Sequence, residues 1–213
     1  MSADESVSTT HAAPETAPPP VRKRPKPGER RVQILQALAA MLEQPGAERV
    51  TTAALAARLS VSEAALYRHF ASKAQMFEGL IDFIEQSVFT LVNQITEREL
   101  QAHEKAAQVL RVLIQFAEKN PGMTRVMVGD ALVYENERLQ QRMNLFFDKL
   151  EAALKQVLRD GAVAQGSEAP TADAQARAAA LTALAMGQLQ RFARSGFRRA
   201  PSEHLDASLA LLL

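Results

Sequence analysis

A run of small and polar side chains lies between residues 51 and 73 and combines hydroxyls, basic groups, an imidazole and one carboxylate. Its members are Thr51, Thr52, Ser62, Glu63, Ala64, Tyr67, Arg68, His69 and Lys73. Hydroxyl and cationic groups donate hydrogen bonds to phosphate oxygens, and small side chains at the start of a helix reach base edges in the major groove. These residue types therefore indicate contacts with double-stranded DNA.

Different members of this run are suited to phosphate contacts and to base contacts. We expect Tyr67 and Lys73 to bind phosphates, with Thr51 and Thr52 on the opposite phosphate strand. Glu63 has two interpretations. Its carboxylate can accept a hydrogen bond from cytosine N4, or it merely favours the positive end of its helix dipole, which is the simpler interpretation.

The residue patterns of common enzymes are missing from the sequence. There is no cysteine, which excludes disulfides, thiolate zinc sites and a cysteine nucleophile. The four histidines show no metal-ligand spacing, and no glycine-rich phosphate loop occurs. Glu135 and Glu137 fall on different sides of a helix and do not make an obvious carboxylate pair. We expect a protein that is not an enzyme and needs no metal, cofactor or small-molecule ligand.

Composition predicts a helical protein of the cytoplasm. Of the 213 residues, 47% are hydrophobic but only 5% are aromatic, so the core must consist mainly of Leu, Ala, Val, Ile and Met. Such a mixture favours helices. No apolar run approaches the ~20 residues that a membrane helix needs, and no secretory signal pattern is present. The predicted class is all-α, soluble and cytoplasmic.

The first 28 residues are predicted to form a disordered tail. They are rich in Ser, Thr, Ala and Pro, and such a segment cannot bury enough apolar surface to offset its ordering entropy. Basic residues are concentrated at 21–31, with six Lys or Arg against one Glu. This basic arm is either a solubilising tail or a source of additional phosphate or minor-groove contacts.

Short helices are required to position these polar residues, and the hydrophobic periodicity of the sequence predicts such helices. The pattern predicts helices at 29–43, 52–59, 63–70 and 73–97. The second and third, joined by a turn at Ser60, form a helix-turn-helix whose third helix enters the major groove. We expect Thr51 and Ser62 to cap the second and third helices, and Ser72, with Gln75, to form a capping box at the fourth. Residues 29–75 are assigned as the DNA-binding domain.

Residues 76–213 are assigned as a helical regulatory and dimerisation domain. A long loop at 161–170 is predicted from Gly161, Gly166 and Pro170. Further helices are predicted at 103–119, 123–133, 136–159, 171–195 and 202–212.

The segment 51–73 resembles the DNA-binding signature of the TetR superfamily. Its most specific part is LYRHFxSK at 66–73. The resemblance implies a three-helix DNA-binding domain followed by a helical regulatory domain. Ser60 departs from the family pattern, which usually has Gly in this turn, and a positive φ there is costly for a residue with a side chain.

A longer resemblance, from about residue 29 onward, is to the SlmA family of nucleoid occlusion factors. The matching motifs are VSEAALYRHF at 61–70, ExNPGxTR at 118–125, ExxRLQxR at 135–142 and RFxRSxF at 191–197. This resemblance implies a nucleoid-associated protein that binds palindromic DNA and restrains the tubulin-like division GTPase FtsZ, so that septa do not form over unsegregated chromosomes.

The same resemblance implies an FtsZ-binding surface around the fourth and fifth helices. The candidates are Phe83, Val112, Lys119 and Asn120. Each has a simpler interpretation. Phe83 is flanked by apolar residues and could belong to the core, and Lys119 and Asn120 could form an ordinary exposed helix end.

A homodimer is expected because helix-turn-helix units usually bind two half-sites one helical turn apart. Apolar stripes on two late helices are the candidate interface, with the alternative that they only fill the core of one chain. The candidates are Leu150, Leu154, Val157, Leu158, Leu181, Leu184 and Leu189.

Two other functions stay open from the sequence. One is a TetR-type transcriptional repressor that responds to a small molecule, for which the candidate pocket residues are Phe116, Tyr134, Phe146 and Phe147. The other is an interaction module whose DNA binding is incidental.

Overall fold

The computed structural model describes residues 28–44 and 49–213. The predicted tail with its basic arm falls almost entirely outside the described residues, as does most of the turn that follows the first helix. In the described ranges, regular structure is helical throughout, which confirms the all-α class. The α-helices are α1 (Glu29–Leu42), α2 (Thr52–Arg58), α3 (Glu63–Tyr67), α4 (Lys73–Thr96), α5 (Ala102–Lys119), α6 (Pro121–Met127), α7 (Glu137–Ala164), α8 (Pro170–Arg194) and α9 (Leu205–Leu212).

Three helices of the N-terminal half, α2, α3 and α4, begin at side-chain caps. Thr51, Ser62 and Ser72 each accept a hydrogen bond from the backbone N–H three residues on, at 3.2 Å in every case. Such caps satisfy one of the free N–H groups of a helix start. At α4 the predicted capping box has a variant form, because Gln75 accepts from the N–H of Ala71 at 2.8 Å.

Two predicted helices are shorter than their apolar patterns. α3 ends at Tyr67 rather than at residue 70, and a turn carries the chain to Phe70. The helix predicted at 123–133 is divided. Gly129 adopts a left-handed conformation with φ 86°, which ends the helical path after α6, and a 3-10 helix follows at Asp130–Leu132. Glycine adopts this conformation at little steric cost.

The predicted loop at 161–170 is wrong over its first half, because α7 continues through Gly161 to Ala164. A Cβ atom on Gly161 would lie 2.2 Å from the Cβ of Ala102. The glycine therefore permits close packing of α7 against the start of α5, instead of ending the helix. The connection from α7 to α8 is only residues 165–169.

The long helices surround one apolar core that continues into the helix-turn-helix. α7 and α8 pack along each other, and α5 packs against both α4 and α7. α6 lies between α1 and α8 and joins the N-terminal helices to the rest of the chain. Gly122 makes this contact possible, because a Cβ there would lie 2.0 Å from the carbonyl oxygen of Ala39 in α1.

None of the described helices is long and apolar enough to cross a bilayer.

Candidate nucleic-acid interface

The helix-turn-helix is formed by α2, α3 and the turn between them. Ser60 lies in this turn with φ 54°, so the positive φ expected at this position is confirmed. The N–H of Val61 donates to the carbonyl of Ala56 at 3.0 Å and closes the end of α2. The left-handed region is unfavourable for a residue with a Cβ. The turn therefore keeps the geometry that glycine would adopt more easily.

Thr51 and Ser62 use their hydroxyl oxygens within the chain. Each accepts a capping hydrogen bond from its own helix, as described above. A hydroxyl that accepts through a lone pair still has its own proton to donate. Both exposed hydroxyls can therefore cap a helix and still donate a hydrogen bond to DNA at the same time.

Glu63 is held by a contact that neither sequence interpretation included. The hydroxyl of Thr52 donates to its Oε2 at 2.5 Å, which links the start of α2 to the start of α3. Glu63 is also in the first turn of α3, where a carboxylate is favoured by the helix dipole. Its position between two helix starts fixes the relative placement of the two helices.

The outer face of α3 brings four of the predicted residues together. Glu63 and Tyr67 lie one turn apart, as do Ala64 and Arg68, and all four are exposed. Tyr67 is 44% exposed, although it is a large aromatic residue. This face carries no large aliphatic side chain and has the small and polar character that insertion into a major groove requires.

His69 differs from the residues of that face. It is half-buried after the end of α3, and its backbone carbonyl accepts a hydrogen bond from the Arg31 guanidinium. The guanidinium carbon of Arg31 also lies 4.1 Å from the centre of the Phe70 ring. Arg31, which sequence reasoning grouped with the basic arm, therefore anchors α1 to the end of α3.

Lys73 is the first residue of α4 and forms an ion pair with Glu135, which precedes α7. Its ammonium also lies 5.7 Å from the centre of the Phe77 ring. The sequence indicated no link between Lys73 and Glu135, because 62 residues separate them. The candidate phosphate-binding cation is thus already paired in the free chain.

Further ion pairs join α4 to α7 beyond Lys73. Arg138 contacts Glu78 at 2.6 Å. Arg142 contacts Asp82 at 2.5 Å and Glu85 at 2.7 Å. Arg142 donates hydrogen bonds to the carboxylates of Glu85 and Asp82, and these bonds raise the pKa of its guanidinium above the ordinary value. The first half of α4, which leaves the DNA-binding unit, is therefore tied by ion pairs to α7 and the residues just before it.

The candidate partner surface lies on α4 and α5. Phe83 is 48% exposed, so it belongs to the surface, whereas Ile81 and Ile84 are buried. Its ring centre lies 6.2 Å from that of Phe116 on α5. Val112 is half-buried on α5 and packs against the core. Leu91, two turns beyond Phe83, is 46% exposed on α4.

The end of α5 adds polar groups to this surface. Lys119 is exposed, and Asn120 is half-buried. The Asn120 side chain donates to the carbonyl of Phe116 at 2.8 Å, so it closes the end of the helix. The structure thus places Lys119 and Asn120 one turn beyond Phe116, at the end of the same helix.

The apolar side chains predicted for the dimer interface are buried or half-buried within the single chain. Within the single chain Leu150, Leu154, Val157, Leu158, Leu181 and Leu189 are buried, and Leu184 is half-buried against the core. The buried members fill the space between α7, α8 and their neighbours, because this packing removes their side chains from water. They are not open to a second copy in this arrangement, and the alternative of a core role describes them better.

A different face of α8 is exposed. Its side chains are small and recur at intervals of three or four residues, so they lie on one side of the helix. The members are Ala172, Ala176, Ala179, Ala183 and Gly187. We call this set the α8 small-residue face. Small side chains allow a neighbouring helix to approach closely.

The four aromatic residues considered for a ligand pocket do not come together. Phe146 and Phe147 are buried in the core, and their ring centres are 5.2 Å apart. Tyr134 is 67% exposed near the DNA-binding unit, with Arg49 at 6.0 Å from its ring centre. Phe116 faces Phe83. Separately, no group of three His, Cys, Asp or Glu residues suited to a metal occurs in the described part of the chain.

Two family models match the chain. The model for bacterial regulatory proteins of the tetR family matches residues 34–80, and the SlmA-like model, a tetracyclin repressor-like C-terminal domain, matches residues 101–213. The first includes α2, α3 and most of α1, and the second extends from the start of α5 to the last residue.

Relatives over most of the chain are nucleoid occlusion factors. The Nucleoid occlusion factor SlmA of Aliivibrio fischeri strain MJ11 is 49% identical over 189 residues, which is 88% of this chain and 96% of that protein. The Nucleoid occlusion factor SlmA of Vibrio cholerae serotype O1 is 48% identical over 184 residues, which is 86% of this chain and 93% of that protein.

Solved structures share the fold at low sequence identity. The MbdR regulator from Azoarcus sp. CIB has a TM-score of 0.70 and 15% identity, covering 85% of this chain and 96% of its own. The TetR family regulator PfmR from Thermus thermophilus has a TM-score of 0.66 and 21% identity, covering 85% of this chain and 97% of its own. These similarities establish the TetR-type architecture.

Proposed function

The chain belongs to the SlmA family of nucleoid occlusion factors within the TetR class of DNA-binding regulators, and from that premise we propose its molecular activity. It binds palindromic double-stranded DNA as a homodimer through α2 and α3, associates with the nucleoid, and restrains FtsZ assembly there through the surface of α4 and α5. The observation that carries the proposal is 49% identity over 88% of the chain together with the exposed polar face of α3.

DNA binding is supported by the arrangement of the helix-turn-helix. Residues 62–64 begin α3, where they would approach base edges, and Tyr67 and Lys73 would contact phosphates on either side. Thr51 and Thr52 stand at the start of α2, where helix N–H groups and hydroxyls favour phosphate. Phosphate contacts position the protein, whereas contacts from residues 62–64 select the sequence.

A homodimer is supported by the α8 small-residue face, which is exposed in the single chain. Two copies that pair through this face would bring α8 helices close enough for van der Waals contact along several turns. Ala183→Glu should therefore shift the protein from dimer to monomer in sedimentation velocity. Ala207→Glu on α9 changes an exposed alanine outside that face and should leave the dimer intact.

The FtsZ surface is supported by an apolar patch on the outside of α4. Phe83 and Leu91 are both nearly half exposed, with Phe116 beside Phe83 and the Lys119 cation at the end of α5. Exposed apolar patches bordered by polar groups mark interaction sites. A segment of a partner with apolar anchors and an acidic group fits this combination.

The experiment that tests the proposal is sedimentation of FtsZ assembled with GTP. The protein is added alone, with a selected palindromic duplex, or with a scrambled duplex of equal length. We expect loss or rearrangement of the polymers with the palindromic duplex. Unchanged polymers at saturating, DNA-bound protein would contradict the FtsZ activity and leave a TetR-type repressor, for which a ligand that releases the DNA should then be sought.

Surface variants locate the activity within the molecule. Phe83→Ala should abolish the effect on FtsZ while DNA affinity stays unchanged, because Phe83 is remote from the α3 face. Tyr134→Ala is the matched control, since it removes another exposed aromatic ring that lies outside the α4 and α5 surface. Equal loss in both variants would argue against the proposed surface.

A further inference from the structure

Lys73 occupies a position where a positive charge needs a nearby anion. It is the first residue of α4, and the N-terminal end of a helix carries partial positive charge. In the free chain that anion is the carboxylate of Glu135, which accepts a hydrogen bond from the Lys73 ammonium. The pair is partly withdrawn from solvent, with exposed side-chain fractions of 26% for Lys73 and 9% for Glu135.

Glu135 is fixed to its own segment and does not depend on Lys73 for its place. Its backbone N–H donates to the carbonyl of Leu132 at 3.0 Å, in the 3-10 helix. The next residue, Asn136, caps α7 by accepting from the N–H of Arg138 at 3.1 Å. With its backbone held in this way, Glu135 can follow the lysine only within the reach of its own side chain if the lysine turns toward DNA.

The Glu135 carboxylate and a DNA phosphate therefore compete for the ammonium group of Lys73. The lysine side chain is flexible and behaves as a point charge, so it can turn from Glu135 to a phosphate. When it does so, the largely buried Glu135 loses its cation, which is unfavourable because the carboxylate regains little contact with water. Each phosphate contact made by Lys73 is weakened by the cost of breaking this pair.

We propose that Glu135 is a positioning residue that lowers DNA affinity by holding Lys73 away from the phosphate. The proposal rests on the proposed function, in which Lys73 binds a phosphate. Because Lys73 contacts the phosphate backbone of DNA and no base, Glu135 lowers the affinity for every DNA sequence by a similar factor. Weak binding to unrelated DNA then leaves discrimination to the contacts of residues 62–64.

Glu135→Gln tests this competition, with Glu137→Gln as the matched control. Both variants remove one negative charge from the same short segment. Glu137 is exposed in the first turn of α7 and accepts a hydrogen bond from Gln141 at 3.3 Å. A difference between the two variants therefore isolates the contact with Lys73 from the change in net charge.

The measurement is fluorescence anisotropy with a palindromic and a scrambled duplex over a range of salt concentrations. We expect Glu135→Gln to bind both duplexes about fivefold more tightly than Glu137→Gln, as the loss of a partly buried ion pair allows. The slope of log K against log salt should also be steeper, by up to about one per phosphate that Lys73 engages more fully. In a Lys73→Ala background, the two glutamine variants should bind equally.

Equal affinity and equal salt slope for Glu135→Gln and Glu137→Gln would overturn the proposal. Thermal melting verifies that each variant is folded. If Glu135→Gln does not fold, Glu135→Asp and its control Glu137→Asp replace the two glutamine variants, since both shorten a side chain and leave the net charge unchanged. If the unaltered chain bound neither duplex, the proposed function would fall and this inference with it. Tight binding by the unaltered chain, with no difference between the glutamine variants, would overturn this inference alone.

Discussion

The helix-turn-helix and the pair of long helices α7 and α8 are stabilised in different ways. α3 is five residues long and buries only Leu66, whereas α7 is 28 residues long and buries eight side chains. The short helices depend on hydroxyl caps and on the Thr52 to Glu63 hydrogen bond. The long helices depend on apolar surface removed from water.

Because of this difference, the sequence of the helix-turn-helix indicates a function, whereas the sequence of the long helices indicates only apolar packing. A helix that buries little can use its outward side chains for DNA, so its functional residues lie close together in a short motif. A helix that builds the core presents a repeating apolar pattern, and that pattern serves a monomer core and a dimer interface equally well. We therefore expect core substitutions in α7 to lower the free energy of unfolding strongly, and substitutions around α3 to change it only slightly.

Truncation of a core leucine should have the largest effect. Leu150→Ala removes a side chain that is fully buried between the long helices. Such substitutions cost about 2–5 kcal/mol, because transfer free energy is lost and a cavity remains. Chemical denaturation should show a lower midpoint for this variant. Leu145→Ala is the control, since Leu145 is 54% exposed on the same helix and should change the free energy of unfolding far less.

Substitution at the contact between the two regions should have the next largest effect. Gly122→Ala places a Cβ against the backbone of Ala39, which cannot move aside as a side chain can. Overpacking of this kind costs about 1–3 kcal/mol. We expect lower thermal stability together with weaker DNA binding, because α1 must shift. Unchanged melting would mean that α1 and α6 separate more easily than their packing indicates.

Removal of a cap should affect the helix-turn-helix by a smaller amount. Ser62→Ala leaves the N–H of Ala65 without its acceptor at the start of α3, at a cost of about 1 kcal/mol. It should also alter site preference in a binding selection, because residue 62 is proposed to approach the base edges. Ser208→Ala removes a hydroxyl inside α9 and should change neither quantity. A uniform loss of affinity for all sequences would argue that Ser62 serves only as a cap.

Replacing Ser60 with glycine should have the smallest effect, and it should raise stability instead of lowering it. Ser60 has φ 54°, where a Cβ costs about 1–2 kcal/mol per residue. Ser60→Gly removes that cost but adds about 0.5–1 kcal/mol of backbone entropy to the unfolded chain. We therefore expect a gain in stability of less than about 1 kcal/mol, measured as a small rise in Tm. A fall in Tm would show that the serine side chain stabilises the turn.

Local sequence was sufficient for much of the DNA-binding unit. Thr51, Ser62 and Ser72 cap their helices as expected, and the left-handed turn at Ser60 is present. These features depend on hydrogen bonds between residues three to five positions apart, so the information lies within a single motif. Helix periodicity likewise predicted α4 and α5 within a residue or so at each end.

Other features were decided by packing between distant segments. Gly161 lies inside α7, although a glycine was expected to end the helix there. Its missing side chain allows Ala102 to pack closely against α7. The predicted interface leucines of α7 and α8 fill the core of the single chain, and a stripe of small residues is exposed in their place. Apolar periodicity identifies a buried face, but it does not identify which neighbour covers that face.

The sequence by itself determined the helix class and the helix-turn-helix, and it predicted which residues face DNA. The tertiary structure alone decided that Phe83 is on the surface, that Lys73 is paired with Glu135, and that α4 is tied to α7 by Arg142. The physical reason is distance along the chain. Caps and helix periods act within one or two turns, whereas these ion pairs join residues 57–62 positions apart, which only folding of the whole chain brings together.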